Sequence, residues 1–180
     1  MAKMVALLRA VNVSGKRPVQ MARLVKVLES RELHGVTTYK ASGNVIFESS
    51  GTPKACATLI HDAIAEEFGH DDVDVLVLRA AEARKVAEGN PLLERPGVDR
   101  AALYVAFPFA KVTRSAFDAL SLPVTGDETA ILSGGVIYLY YPHGAGRTKL
   151  TNGWLEKALG VTCTTRNWNT VLAISELVTA

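Results

Sequence analysis

The chain has 180 residues, enough for one large domain or two small ones. Apolar residues make up 48% and charged residues 21%, with a formal net charge of +2, which excludes disordered and fibrous classes. Cys56 and Cys163 stand far apart without CxxC spacing, and the apolar stretch from Met4 to Leu8 is too short for a membrane span or signal core.

The expectation is a cytoplasmic protein needing neither a disulfide framework nor a zinc site. Its small net charge hides an uneven distribution. Residues 1–45 hold 8 Lys/Arg against 2 Asp/Glu, residues 46–99 hold 5 against 11, and residues 100–180 hold 7 against 5.

Met4 to Ala10 is a continuous apolar run, which predicts a central buried strand. A turn-rich stretch, Asn12 to Pro18, follows it. Met21, Leu24, Val25 and Leu28 then recur at helical spacing. Val36 to Lys40 and Val45 to Ser49 read as strands joined through Ser42-Gly43. Thr52-Pro53 is a cap followed by a first-turn proline, opening a helix that carries Cys56, Leu59, Ile60, Ala63, Ile64 and Phe68. Val73 to Leu78 reads as a strand, and Ala80 to Glu88 as a short helix stopped by Gly89-Asn90-Pro91.

The second half repeats this order. Ala101 to Phe107 is a strand, and Thr113 caps a helix bearing Ala116, Phe117 and Leu120. Thr129 to Ser133 and Val136 to Tyr141 form a hairpin. Leu150, Trp154, Leu155, Ala158 and Leu159 define a helix, with Thr148 as its expected cap. Val161 to Arg166 is a strand, and Trp168, Val171, Leu172, Ser175 and Val178 share one helical face, with Asn167 or Asn169 as the cap.

Ser42-Gly43-Asn44-Val45-Ile46-Phe47 aligns with Ser133-Gly134-Gly135-Val136-Ile137-Tyr138 at an offset that also carries Phe68-Gly69 onto Leu159-Gly160. The reading is an α+β protein of two ferredoxin-like (alpha-beta plait, βαββαβ) subdomains related by internal duplication, each followed by an extra helix. Residues 1–90 form the first and 91–180 the second. Right-handed crossovers make the first two strands of each half parallel, with the third between them. The first strand–helix loop then shares an end of the sheet with the hairpin. The loop after the third strand shares the opposite end with the exit of the fourth.

Those ends hold the candidate binding residues. At the first, Arg9, Asn12, Lys16 and Asn44 offer charge and hydrogen bonds beside a Gly-containing turn, where amides can cradle an anion. Ser42-Gly43 recurs in the second half without basic neighbours and therefore reads as turn chemistry. Asn44 has no counterpart there and stays open. At the second, Gly144, Gly146, Arg147 and Lys149 lie in one loop, and Arg166 and Asn169 flank the last strand exit. Arg166 has no evident structural duty in the sequence. If these ends meet, the two sets face each other across one cleft between the subdomains.

Other chemistries lack support. The four histidines have no metal-ligand spacing, no G-x-S-x-G elbow or Walker loop is present, and no cofactor or metal is expected. Asp71, Asp72 and Asp74 lack the calcium-loop pattern and read as a solvated turn. Cys56 falls on an apolar helix stripe. No acid–base pair or nucleophile can be assigned.

Leu7-Leu8-Arg9 with Asn12-Val13, Gly15-Lys16, Ser42-Gly43-Asn44-Val45, Asn90-Pro91, Gly144 with Gly146, Lys149-Leu150 and Thr165-Arg166-Asn167-Trp168-Asn169-Thr170 together resemble the bacterial domain-of-unknown-function 1697 family (DUF1697). The resemblance covers nearly the whole chain and implies two ferredoxin-like subdomains. Thr148 stands where the family pattern has Ser. No catalytic residue comes with the resemblance.

Three functions follow as expectations. The leading one is a cytosolic protein binding an anionic, phosphate-bearing small molecule. The second is nucleic-acid binding, for which a plait uses aromatic residues on its first and third strands; Phe47, Tyr104, Tyr138 and Tyr140 are the available rings. The third is an interaction or scaffold protein without a small ligand. No membrane partner is expected.

Overall fold

The computed structural model describes residues 1–124 and 126–180. The chain runs β1 (Ala2–Leu8), α1 (Met21–Glu29), β2 (His34–Thr38), β3 (Asn44–Ser49), α2 (Pro53–Phe68), β4 (Val75–Arg79) and α3 (Ala80–Glu88). After two short 3₁₀ turns come β5 (Leu103–Pro108), α4 (Arg114–Asp118), β6 (Thr129–Ser133), β7 (Val136–Tyr140), α5 (Asn152–Leu159), β8 (Cys163–Asn167) and α6 (Trp168–Thr179). Among the described residues no helix is long and apolar enough to cross a membrane.

Two four-stranded antiparallel sheets form, ordered β2-β3-β1-β4 and β6-β7-β5-β8. Both orders are those of a split βαβ plait, with the first two strands of each half parallel and the third between them. The chain forms two compact units, residues 1–84 with 174–180, and residues 85–173. This division falls inside α3, earlier than residue 90, and returns the last seven residues to the first unit. Within the second unit, the Val86 carbonyl accepts a hydrogen bond from the Tyr138 hydroxyl at 2.9 Å, tying the end of α3 to β7.

In the first unit, Met4, Ala6 and Leu8 of β1 and Val45 and Phe47 of β3 pack with Leu24, Leu28, Ile60 and Ile64 from the helices. Val5 and Leu7 project to the other face and are equally buried, at 0% and 1% exposure. Burial on both faces is why β1 reads as an unbroken apolar run rather than an alternating one. α2 begins where Thr52 Oγ1 accepts from the Ala55 amide, and ends at Gly69 in the left-handed region. In the second unit, Ala106, Ile137 and Leu139 pack with Phe117, Leu150 and Leu155. α5 likewise ends at a left-handed glycine, Gly160.

Two local expectations need correction. β1 stops at Leu8 and does not reach Ala10: the Leu8 amide donates to the Gly43 carbonyl, Arg9 donates to Asp74, and Ala10 turns to φ +55. Thr148 does not cap α5. Its hydroxyl accepts from Leu150 two residues on, whereas Thr151 Oγ1 accepts from the Trp154 amide and caps the helix. Of the two candidates for the α6 cap, Asn167 serves, as one of the pair was expected to: its Oδ1 accepts from the Thr170 amide.

Candidate functional site

The β1–α1 loop of the first unit is built from unusual backbone. Ala10, Asn12, Ser14, Gly15 and Arg17 all have positive φ. Ser14 and Gly15 form the tip of a two-residue reversal, closed by Lys16 donating to Val13 at 2.9 Å and Asn12 donating to Arg17 at 3.1 Å. Asn12 then latches the loop base. Its amide nitrogen donates to the carbonyls of Val19 (2.9 Å) and Ala41 (2.7 Å), and its oxygen accepts from the Val19 amide (2.8 Å). Asn12 is thereby committed to shape.

The Ser42-Gly43-Asn44 hairpin lies at this end of the sheet, as its topology requires. Asn44 is fully buried and donates to the Tyr39 carbonyl and to Ser42 Oγ. Gly43 has φ +80, and a Cβ there would stand 2.6 Å from a Val11 methyl and 2.8 Å from the Leu8 Cβ. The glycine allows the loop and hairpin to touch, so this motif holds β1, its loop and β3 together.

The charges of this loop are largely answered. Arg9 faces Asp74 at 3.7 Å. Arg17 grips Asp72 with two donors, Nε–Oδ1 at 2.9 Å and Nη2–Oδ2. The hydrogen bond and charge of Arg17 hold the Asp72 carboxyl below the usual range, and Asp72 raises the Arg17 guanidinium in turn. The acidic turn is therefore a partner of the basic loop and not merely a solvated one. The signal for it was present in the sequence, as a surplus of acid in one segment matching a surplus of base in another. Lys16 is exposed and forms no ion pair among the described residues.

In the second unit, the loop after β7 consists of two successive turns. Gly144 donates to Tyr141 at 2.9 Å, and Arg147 donates to Gly144 at 3.1 Å. Gly144 needs its φ of +88, while Gly146 has ordinary φ and open space around it. Thr148 and Leu150 turn inward and are buried, leaving Arg147 and Lys149 alternately outward and exposed. Neither forms an ion pair among the described residues.

Register places this loop near the α6 start. Leu103 pairs with Tyr140 and Tyr104 with Asn167, so the ends of β7 and β8 flank the same end of β5, about 10 Å apart. Exposed Asn169 sits in the first turn of α6, where helical amides favour negative charge. Arg147, Lys149 and Asn169 thus share one end of one sheet.

Arg166 does not join them at the surface. It is 8% exposed, and Nη1 donates to Thr164 Oγ1 at 2.8 Å and to the Thr165 carbonyl at 3.0 Å. Pairing with Val105 puts it on the sheet face of Tyr138, opposite the face that packs on α5. Burial lowers its pKa to about 10. The structural duty that the sequence did not reveal is this buried hydrogen bonding.

Three of the four aromatic rings wanted by a nucleic-acid plait are enclosed in the core, and Tyr104 is half-buried. Phe47 and Tyr138 are buried at 0% and 1% exposure, Tyr140 is buried, and Tyr104 packs against Tyr141 with ring centroids 5.2 Å apart. A ring enclosed in the core offers no face on which a base can stack.

Comparison with known proteins agrees with the architecture. A search of curated proteins returns no match. A solved structure of a conserved bacterial protein from Streptococcus pneumoniae is similar at a TM-score of 0.74, with 20% identity, covering 98% of each chain. A likeness at that identity speaks to fold alone. The model of a family described as protein of unknown function, DUF1697, matches residues 1–138, well over half the sequence. The chain therefore belongs to the DUF1697 family.

Proposed function

We infer that the protein binds a phosphate-bearing or other anionic small molecule in the cytoplasm, at the end of the second unit's sheet. Arg147 and Lys149 supply the charge, Asn169 and the α6 start supply hydrogen bonds, and Gly144 and Gly146 shape the loop. The carrying observation is a contrast in pairing. Arg9 and Arg17 of the first unit each face an aspartate and leave only Lys16 unanswered in that loop, whereas Arg147 and Lys149 lie together in one loop and face none among the described residues. Unanswered cations beside a helix start attract anions through both charge and dipole. The two free, buried cysteines agree with a reducing compartment. The shared strand order, and the left-handed helix-ending glycines at Gly69 and Gly160, support descent of both units from one duplicated βαββαβ segment.

The test is thermal unfolding of the full chain with inorganic phosphate, pyrophosphate and nucleotides. A ligand at about 100 times its Kd stabilises by about 2.7 kcal/mol. For a chain of this size that raises Tm by about 5–10 °C. The double substitution Arg147→Ala and Lys149→Ala is expected to abolish the rise, and Lys16→Ala to leave it. Equal rises in all three proteins, or none in any, contradict the assignment.

A further inference from the structure

The β1–α1 loop and the turn at residues 70–74 show a pairing that the anion reading does not use. The loop has positive φ at four non-glycine positions between residues 10 and 17, a conformation L-residues leave when nothing holds them. Three contacts from the turn hold it. Asp72 takes Arg17 in the two-pronged geometry that suits a guanidinium, Asp74 takes Arg9, and His70 Nε2 lies 3.1 Å from the Pro18 carbonyl. The contacts are spread along the loop, at its first residue, behind its tip and near its return to α1. We propose that the 70–74 turn is a charge latch on the β1–α1 loop, and that loosening it frees the loop as a unit while the sheet stays intact.

The two parts have different support. The sheet rests on buried apolar residues and the β1–β3 ladder, which salt leaves in place. The latch rests on partly exposed ions, which salt screens. Asn12 and the buried Val11 and Val19 anchor the loop base, so the mobile portion is the reversal and its flanks. Exposed Lys16 and Asp71 add charge without forming a pair among the described residues.

Amide hydrogen exchange on the full chain tests this. The reporters are the Asn12 and Lys16 amides, whose bonds to Arg17 and Val13 close the reversal. The references are the β1 amides from Met4 to Ala6. Raising sodium chloride from 0.05 to 1 M is expected to speed the reporters about two- to thirtyfold, the span for two exposed pairs, relative to the references. The Asp72→Asn, Asp74→Asn double variant is expected to exchange fast at low salt and to lose the salt response. Reporter exchange indifferent to salt in the unaltered protein overturns the latch. So does acceleration shared equally by reporters and references. The salt series needs no variant, so a poorly folding double variant does not spare the proposal.

Discussion

Gly43 and Gly146 both lie in turns that carry candidate binding residues, yet they do different physical work. At Gly43 an added methyl meets Val11 and Leu8 inside 3 Å, on a backbone at φ +80. Overpacking and left-handed strain together predict that Gly43→Ala costs about 2–5 kcal/mol. At Gly146 a methyl meets nothing within 4 Å and φ is ordinary. Gly146→Ala should leave stability unchanged or raise it by up to about 1 kcal/mol, through the unfolded chain. Urea midpoints of the two variants measure this directly. The same distinction separates side chains: Asn12, Asn44 and Arg166 spend their polar groups on the fold, whereas Lys16, Arg147, Lys149 and Asn169 are exposed. A sequence lists donors and acceptors without saying which already have partners inside the chain. Arg166 therefore has no evident duty in the sequence, although its guanidinium donates to Thr164 and Thr165 in the fold.

At the scale of elements, periodicity carried far. α3 spans Ala80–Glu88 as its composition implies, and the Thr52, Thr113 and Asn167 caps bond as such residues should. The cap of α5 was ambiguous because two candidates lie three residues apart. Thr148 and Thr151 both suit a cap, and only the closed turn at Leu150 decides between them. The tie between β7 and α3 was not legible either, because it joins residues 52 apart through one hydroxyl. Tyr138→Phe removes that donor and leaves the Val86 carbonyl buried without it, which should cost about 1–3 kcal/mol at neutral pH. Burial pushes the Tyr138 pKa from 10.0 up to about 12. The unfolded chain thus releases this proton first, and stability conferred by neutral Tyr138 is present below pH 10 and lost as pH rises toward 12. Urea unfolding at pH 8 and pH 11 should show a shallower alkaline decline in the variant than in the unaltered protein; Tyr141, which burial and the Glu128 charge also raise, adds to the decline in both.

For the whole molecule, a net charge of +2 conceals a sorting of charge that tertiary structure completes. The basic first quarter is met by the acidic turn, through Arg9–Asp74 and Arg17–Asp72, so the most cationic stretch of sequence is not the most available one. The plait order was readable from element sequence and chain handedness alone, because few topologies bury these apolar runs. Which cations stay unanswered was not, since that depends on contacts 55 and 65 residues apart. The loop at residues 142–149 and the start of α6 are proposed to receive anions. A titration of the isotope-labelled full chain with pyrophosphate, followed by amide chemical shifts, tests this. Saturable shifts at Gly144, Arg147, Lys149 and Asn169, with Asn12 and Lys16 unmoved, are predicted. Shifts that never saturate, or that centre on residues 9–17, would contradict the claim.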